Sequence, residues 1–213
     1  LNFAILTYFP ALGFPLTEPR NYFFANLLYM TVNFAVMLLI FRRTLWQSLR
    51  EFEGKMLLSV LIGFGMCYGA NLVLTTAYTV LDIMPENYNQ EAVNSLLGGY
   101  PLAMTLCTVV LAPLAEECLF RGVLFAPLAR RCLPAAYALS MFLFAGMHVF
   151  QFLGSMTAAN TILCLSLYLP ASFSLCWVYQ KTGNIWACIF LHMFINFQSV
   201  LASLLRSLMQ AFL

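Results

Sequence analysis

The sequence predicts an all-α integral membrane protein, a bundle of about six to eight transmembrane helices. Two observations lead to this fold class. Of 213 residues, 62% are hydrophobic and only 8% are charged, whereas soluble globular chains carry about 25% charged residues. Several stretches also reach the roughly 20 predominantly apolar residues that one helix needs to cross a bilayer. Because open, irregular backbone cannot face lipid, we expect these stretches to be helical.

Short polar connections divide the chain into six predicted spans. These spans cover roughly residues 22–41, 56–81, 101–126, 134–153, 158–179 and 184–205. Residues 1–16 are also apolar but contain Pro10 and Pro15. They indicate a further helix or an interfacial segment rather than a signal peptide, since no basic region precedes them.

The basic residues predict the orientation of the bundle. Lys and Arg concentrate in three connections: 42–55, 128–133 and 180–183. The connections at 85–101 and 151–157 contain neither residue type. Because Lys and Arg are enriched in cytoplasmic connections, the first set is predicted to be cytoplasmic. Arg121 is the one basic residue well inside a predicted span.

Three charged residues share the third predicted span, where an ionised side chain costs about 2.5–3.5 kcal/mol on insertion scales. Glu117 and Arg121 are four residues apart, so they can pair on one helical face, and such a pair could simply fix helix packing. Glu116 points about 100° away around the helix and has no local partner. Glu116 is therefore the first candidate for function.

Both histidines of the chain also lie in predicted spans. Phe144 and His148 share one helical face, and His192 and Asn196 share another, since each pair is four residues apart. A single transmembrane histidine can be a packing residue that bonds to a neighbouring helix. Together with Glu116, however, these polar side chains come from three spans at similar depth. We expect Glu116, His148, His192 and Asn196 to converge in one cavity.

Such a set of side chains can hydrolyse an acyl bond without a covalent intermediate. A carboxylate beside an imidazole can take a proton from water, and a second imidazole with a carboxamide can donate hydrogen bonds to an oxyanion. Other hydrolase designs fit less well. The sequence has no H-E-x-x-H or G-x-S-x-G motif, and Asp82 is its only aspartate. Cys118 follows the glutamates, but this adjacency alone does not make it a nucleophile.

Three motifs in this order resemble those of the CAAX protease and bacteriocin-processing enzyme family, also called the Abi family, which includes the type II CAAX prenyl endopeptidases. They read Glu116-Glu117-x-x-x-Arg121, Phe144-x-x-x-His148 and His192-x-x-x-Asn196. The resemblance covers about residues 100–200. It implies a glutamate-type intramembrane endopeptidase, with N-terminal membrane helices in residues 1–99 and a catalytic membrane core in residues 100–213, all within one integral membrane domain.

The resemblance also implies a role for each motif residue. Glu116 and His148 would activate water, while His192 and Asn196 would hold the oxyanion. Supporting roles would fall to Glu117, Arg121 and Phe144. No cofactor is expected, although one glutamate and two histidines leave a zinc site open as an alternative.

The expected partners are a membrane-associated peptide or protein substrate and the lipid bilayer, and not nucleic acid. The compact chain predicts a multi-pass protein of a prokaryotic inner or plasma membrane. Two other functions stay open: a proton-coupled transporter, in which buried glutamate and histidine relay protons, and a non-catalytic membrane protein that binds a peptide. A cavity with lateral access would favour the peptidase, and a through-going pathway would favour the transporter.

Overall fold

The computed structural model describes residues 10–211, and residues 19–211 form seven helices. Their bounds are α1 Pro19–Arg50, α2 Met56–Val80, α3 Tyr88–Gly99, α4 Pro101–Ala129, α5 Leu133–Ser155, α6 Ala158–Thr182 and α7 Ile185–Ala211. All except α3 are long and apolar enough to cross a membrane, and no strand occurs within residues 10–211. The predicted all-α, multi-pass membrane bundle is confirmed.

The helices differ from the predicted spans mainly in two places. α1 continues to Arg50 through most of the predicted 42–55 connection, because no Gly or Pro interrupts residues 41–50. The polar 85–101 connection contains α3, whose start is capped by the Asn87 side chain accepting from the Gln90 N–H at 3.1 Å. The interpretation of residues 1–16 falls mostly on residues 1–9, which lie outside the described residues.

Close helix packing in the bundle centre depends on a glycine of α2. A Cβ atom at Gly63 would lie 2.7 Å from Val178 Cγ2 of α6 and 2.9 Å from Leu191 Cδ2 of α7. Hydrogen at this position therefore lets α2 approach both helices. The same cluster of buried apolar side chains also includes Phe144 of α5, so the core extends to the helix that carries His148.

α4 carries both glutamates and has an irregular backbone. Two π-helical stretches, Cys107–Leu111 and Cys118–Phe125, flank an ordinary α-helical turn at Ala112–Glu117. In the first stretch the Ala112 N–H donates to the carbonyl of Cys107, five residues back. Wide turns of this kind occur often at functional sites, and here they bracket Glu116 and Glu117.

A hydrogen-bonded clasp between α1 and α7 fixes the start of α7. Asn184 Nδ2 donates to the carbonyl of Ser48 at 2.7 Å, and Trp186 Nε1 donates to the carbonyl of Leu45 at 2.8 Å. Asn184 Oδ1 also accepts from the Trp186 N–H at 2.9 Å, which caps the helix. Since the clasp sets the depth of α7, it also sets the depth of His192, about two turns further along.

Candidate active site

A buried ion pair forms the base of the site. Arg121 Nη1 lies 3.1 Å from Glu117 Oε1, and both side chains are completely buried. Arg121 Nη2 donates to the carbonyl of Ser172 on α6 at 3.1 Å, and its guanidinium carbon lies 5.1 Å from the ring centroid of Phe144 on α5. The pair that the four-residue spacing predicted is therefore present, and it connects α4 with α5 and α6.

His192 contacts both glutamates. Its Nδ1 lies 2.8 Å from Glu117 Oε1, and its Nε2 lies 3.8 Å from Glu116 Oε2. An ionised carboxylate only accepts hydrogen bonds, so Nδ1 carries a proton and donates it to Glu117. Glu117 accepts from Arg121 through the same oxygen. The imidazole is thereby held with its Nε2 edge towards Glu116.

His148 is oriented through its own helix and through a tyrosine. Its Nδ1 lies 2.9 Å from the carbonyl of Phe144, one turn earlier. A carbonyl only accepts, so Nδ1 carries the proton and the neutral ring has its lone pair on Nε2. The imidazole also stacks on Tyr168 of α6, with ring centroids 4.5 Å apart and planes inclined by 21°. The Phe144 side chain itself contacts the imidazole, with ring centroids 4.8 Å apart, as residues one helical turn apart can.

Asn196 occupies a position that the π-helical stretch of α4 creates. Its Nδ2 donates to the carbonyl of Thr108 at 2.8 Å. That carbonyl has no donor within its own helix, because the Ala112 N–H bonds to Cys107 and Pro113 has no N–H. One amide N–H of Asn196 therefore supplies the hydrogen bond that the Thr108 carbonyl of α4 lacks, and the second N–H can donate to another acceptor.

One cavity of about 360 Å³ brings the candidate residues together. Glu116, His148 and Asn196 all line it, so three of the four side chains predicted to converge face the same space. His192 is buried behind this surface and reaches the cavity side only through its approach to Glu116. The volume is within the range of about 300–1,000 Å³ that small-molecule sites occupy.

A smaller pocket of about 120 Å³ adjoins this cavity between α1, α4 and α5. Glu116, Met30 and Met147 border both spaces. The small pocket also includes Leu119, which is 39% exposed on the outside of the bundle. Glu116 therefore lies between the cavity and this smaller pocket.

Several residues around the cavity were not predicted from the sequence. They are Asn26 and Tyr29 of α1, Asn89 and Gln90 of α3, and Tyr168 of α6. The sequence does contain a pattern that could have indicated the residues of α1. Polar side chains inside an apolar span suggest function, and three of them recur there at helical spacing: Asn26, Tyr29 and Asn33. Cys118, by contrast, is fully buried in an apolar cluster with Leu114 and is not among the residues that line the cavity.

Comparisons with known proteins agree with this architecture. Residues 98–198 match the family model described as type II CAAX prenyl endopeptidase Rce1-like, and this segment contains every residue of the three motifs. The chain is also 27% identical over 210 residues to the "Putative membrane peptidase YdiL" of Bacillus subtilis (strain 168), covering 92% of this chain and 82% of that protein. No solved structure shows a significant match. Over residues 98–198 this multi-pass membrane protein is thus similar to the type II CAAX prenyl endopeptidase Rce1-like family, and over most of its length it is similar to a bacterial protein described as a membrane peptidase.

Proposed function

We propose that this protein is a glutamate-type intramembrane endopeptidase, in which Glu116 is the base that activates water. One observation carries this proposal. Glu116 Oε2 is buried without a hydrogen-bond partner, in a residue that lines the same cavity as His148 and Asn196. Buried polar atoms are nearly always paired, so an unpaired carboxylate oxygen beside a cavity is suited to binding a reactant.

The chemistry is the addition of water to a peptide carbonyl. Glu116 takes one proton from water while the lone pair on His148 Nε2 accepts a hydrogen bond from the same molecule. The water oxygen forms a bond to the carbonyl carbon, and the carbonyl π electrons move onto oxygen. When this intermediate collapses, the C–N bond breaks and Glu116 returns the proton to the leaving nitrogen. The products are a carboxylic acid and an amine.

His192 and Asn196 serve as donors to the oxyanion in this scheme. Because the Nδ1 proton of His192 is directed at Glu117, a donor at Nε2 requires the imidazolium form. His192 lies against the carboxylates of Glu116 and Glu117, and Arg121 pairs with Glu117. Asn196 supplies the second donor through its remaining N–H.

The proposal extends to the substrate, the metal requirement and the membrane. An approach to Glu116 past Leu119, which is exposed on a helix long and apolar enough to cross a membrane, would suit a peptide or protein that is already associated with the bilayer. We propose a metal-free site: within residues 10–211, no three His, Cys, Asp or Glu side chains form a group that could hold a metal ion. The B. subtilis relative supports placing the protein in a prokaryotic cell membrane.

Comparative analysis of membrane peptides tests the proposed activity. Cells that produce the wild-type protein are compared with cells that produce Glu116→Gln, and new peptide termini are identified by mass spectrometry. We expect a set of cleavage products that is present with the wild type and absent with Glu116→Gln, because glutamine keeps the size of the side chain and removes the base.

Glu53→Gln is the matched control, since Glu53 has an exposed side chain and pairs with Lys55 between α1 and α2. It should give the wild-type set of products. Identical products from wild type and Glu116→Gln, at equal amounts of protein in the membrane, would contradict the role of Glu116 as base.

A further inference from the structure

We infer that Tyr168 is a positioning residue of the catalytic site, which holds the His148 imidazole in its working orientation and connects it to α3. The inference rests on the proposed function, because it concerns the geometry of the water-activating histidine. Tyr168 lies on α6, outside all three sequence motifs. It lines the cavity together with Glu116 and His148.

The hydrogen bond to Phe144 alone does not fix the His148 ring. Besides the bond from Nδ1 to the Phe144 carbonyl at 2.9 Å, the tilted Phe144 ring lies 4.8 Å from the imidazole, centroid to centroid. Both contacts come from the same helix and leave the imidazole a range of orientations. The face of Tyr168 on α6 narrows this range, since the tyrosine and imidazole rings are nearly parallel with centroids 4.5 Å apart. The position of His148 Nε2 within the cavity therefore depends on the position of the tyrosine ring.

The tyrosine ring is itself fixed by its hydroxyl group. Tyr168 Oη donates to Asn87 Oδ1 at 3.0 Å and accepts from Asn89 Nδ2 at 3.2 Å, so both functions of the hydroxyl are used. Asn87 Oδ1 also accepts from the Gln90 N–H and thereby caps α3. The first turn of α3 and the plane of the His148 ring are thus joined through one side chain.

Through Tyr168, substrate contacts on α3 can affect the orientation of His148. Asn89 and Gln90 line the cavity from α3, on the side that the charge pattern predicts to be non-cytoplasmic. A substrate that contacts these amides can therefore shift the Tyr168 ring, and with it the His148 imidazole. Small displacements of a catalytic group can cost about 10²-fold in rate, so the tyrosine should affect turnover more than substrate binding.

The experiment combines kinetics with NMR spectroscopy of purified protein in detergent. The substrate is a peptide whose cleavage by the wild type has been established. Because the chain has only two histidines, ¹⁵N-histidine labelling gives two sets of ring resonances, and a His192→Gln sample identifies those of His148. The variants are Tyr168→Leu, which removes the stacking ring, and Tyr168→Phe, which keeps the ring and removes the hydroxyl. Tyr68→Leu is the control, since Tyr68 is an exposed tyrosine of α2.

For Tyr168→Leu we expect kcat to fall by about 10- to 100-fold with KM within twofold, and the His148 resonances to lose the pattern of a single Nδ1–H tautomer. Tyr168→Phe should recover most of kcat, and Tyr68→Leu should match the wild type. A Tyr168→Leu protein with kcat within twofold of wild type would overturn the inference. A loss of kcat with unchanged His148 resonances would also overturn it, because Tyr168 would then act on another group.

A Glu116→Gln sample in the same series separates this inference from the proposed function. If Glu116→Gln is inactive while Tyr168→Leu is normal in rate and spectrum, the role of Tyr168 is wrong and the proposed function stands. If Glu116→Gln cleaves at the wild-type rate, the proposed function itself is wrong.

Discussion

His192 Nδ1 lies 2.8 Å from Glu117 Oε1, the same oxygen that accepts Arg121 Nη1 at 3.1 Å. One carboxylate oxygen therefore both neutralises a buried guanidinium and fixes the proton of a buried imidazole. Neither the pair nor the histidine can exchange these contacts for water, since the three side chains are at most 4% exposed. Glu117 therefore contributes both to helix packing and to the proposed chemistry, and variants of its partners can separate these two roles.

Arg121→Ala is expected to destabilise the protein, because it leaves Glu117 buried without its counter-ion. Breaking a buried ion pair from one side typically costs about 3–5 kcal/mol. The measurement is thermal unfolding in detergent, and the control is Arg131→Ala, since Arg131 is exposed in the turn between α4 and α5. An Arg121→Ala protein that is as stable as Arg131→Ala but inactive would show that Arg121 takes part in the reaction rather than in packing.

The double variant Glu117→Leu with Arg121→Met should regain stability but not turnover. Replacing both members of a buried ion pair by apolar residues is often neutral or stabilising, whereas His192 has lost the acceptor of its Nδ1 proton. Unfolding and cleavage are measured on the same preparation. Recovery of turnover in the double variant would mean that Glu117 does not orient His192 for catalysis.

Glu116→Gln should lower turnover by a factor of about 10² or more without lowering the unfolding temperature. The reason for the second expectation is structural: the substitution replaces a buried carboxylate oxygen that has no hydrogen-bond partner. Glu117→Gln is the informative comparison, because it should lower both quantities. The measurements are peptide cleavage by purified protein and melting in the same detergent. A marked drop in melting temperature for Glu116→Gln would assign Glu116 a structural role.

Metal chelation should leave cleavage unchanged. Within the described residues, the candidate side chains of α4, α5 and α7 do not form a group of three ligands that could hold a metal ion. We propose that Glu116 and His148 activate water without a metal. Purified protein is dialysed against a strong zinc chelator and assayed with and without added Zn²⁺. Loss of activity that Zn²⁺ restores would replace this mechanism with the zinc alternative.

The sequence predicted those parts of the molecule that depend on local spacing and on transfer into lipid. Six apolar stretches became six helices long enough to span a membrane, and the i,i+4 spacing predicted the Glu117–Arg121 pair. The roles assigned to Glu116, His148, His192 and Asn196 stay predictions. Glu116, His148 and Asn196 nevertheless line one cavity, as the three motifs led us to expect, whereas His192 lies behind its surface.

Contacts between distant segments could not be predicted in the same way. Nothing in the motifs indicates that Tyr168 stacks on His148, because the two residues are on different helices and their register depends on packing. The bond from Asn196 to Thr108 requires a π-helical stretch in α4, which no residue pattern specifies uniquely. α3 was missed because it is short and polar, so its helical period is weak.

Gly63→Leu should destabilise the bundle, since even a Cβ atom would lie 2.7 Å from Val178 and 2.9 Å from Leu191. Overpacking of a well-filled core typically costs about 1–3 kcal/mol. Gly65→Leu is a close control in the same helix, because a Cβ atom there has no neighbour within 4 Å. Melting of the two variants in detergent should differ clearly. Equal melting temperatures would mean that α2 does not approach α6 and α7 as closely as the structure shows.

Asn196→Ala should lower both turnover and stability. Loss of one oxyanion donor typically costs about 10²–10³ in kcat. The Thr108 carbonyl also loses its donor, and leaving a buried acceptor unpaired costs about 1–3 kcal/mol. Cleavage and thermal unfolding of the purified variant measure the two effects, and Ser207→Ala serves as a control on the exposed end of α7.

A second substitution separates the two roles of Asn196. Pro113→Ala provides a backbone N–H five residues after Thr108, where the π-helical stretch can use it as a donor. The double variant Asn196→Ala with Pro113→Ala should therefore melt at a higher temperature than Asn196→Ala while its turnover stays low, with Pro113→Ala alone as reference. If the double variant recovers turnover together with stability, Asn196 acts only by satisfying Thr108, and the oxyanion must be held by other donors.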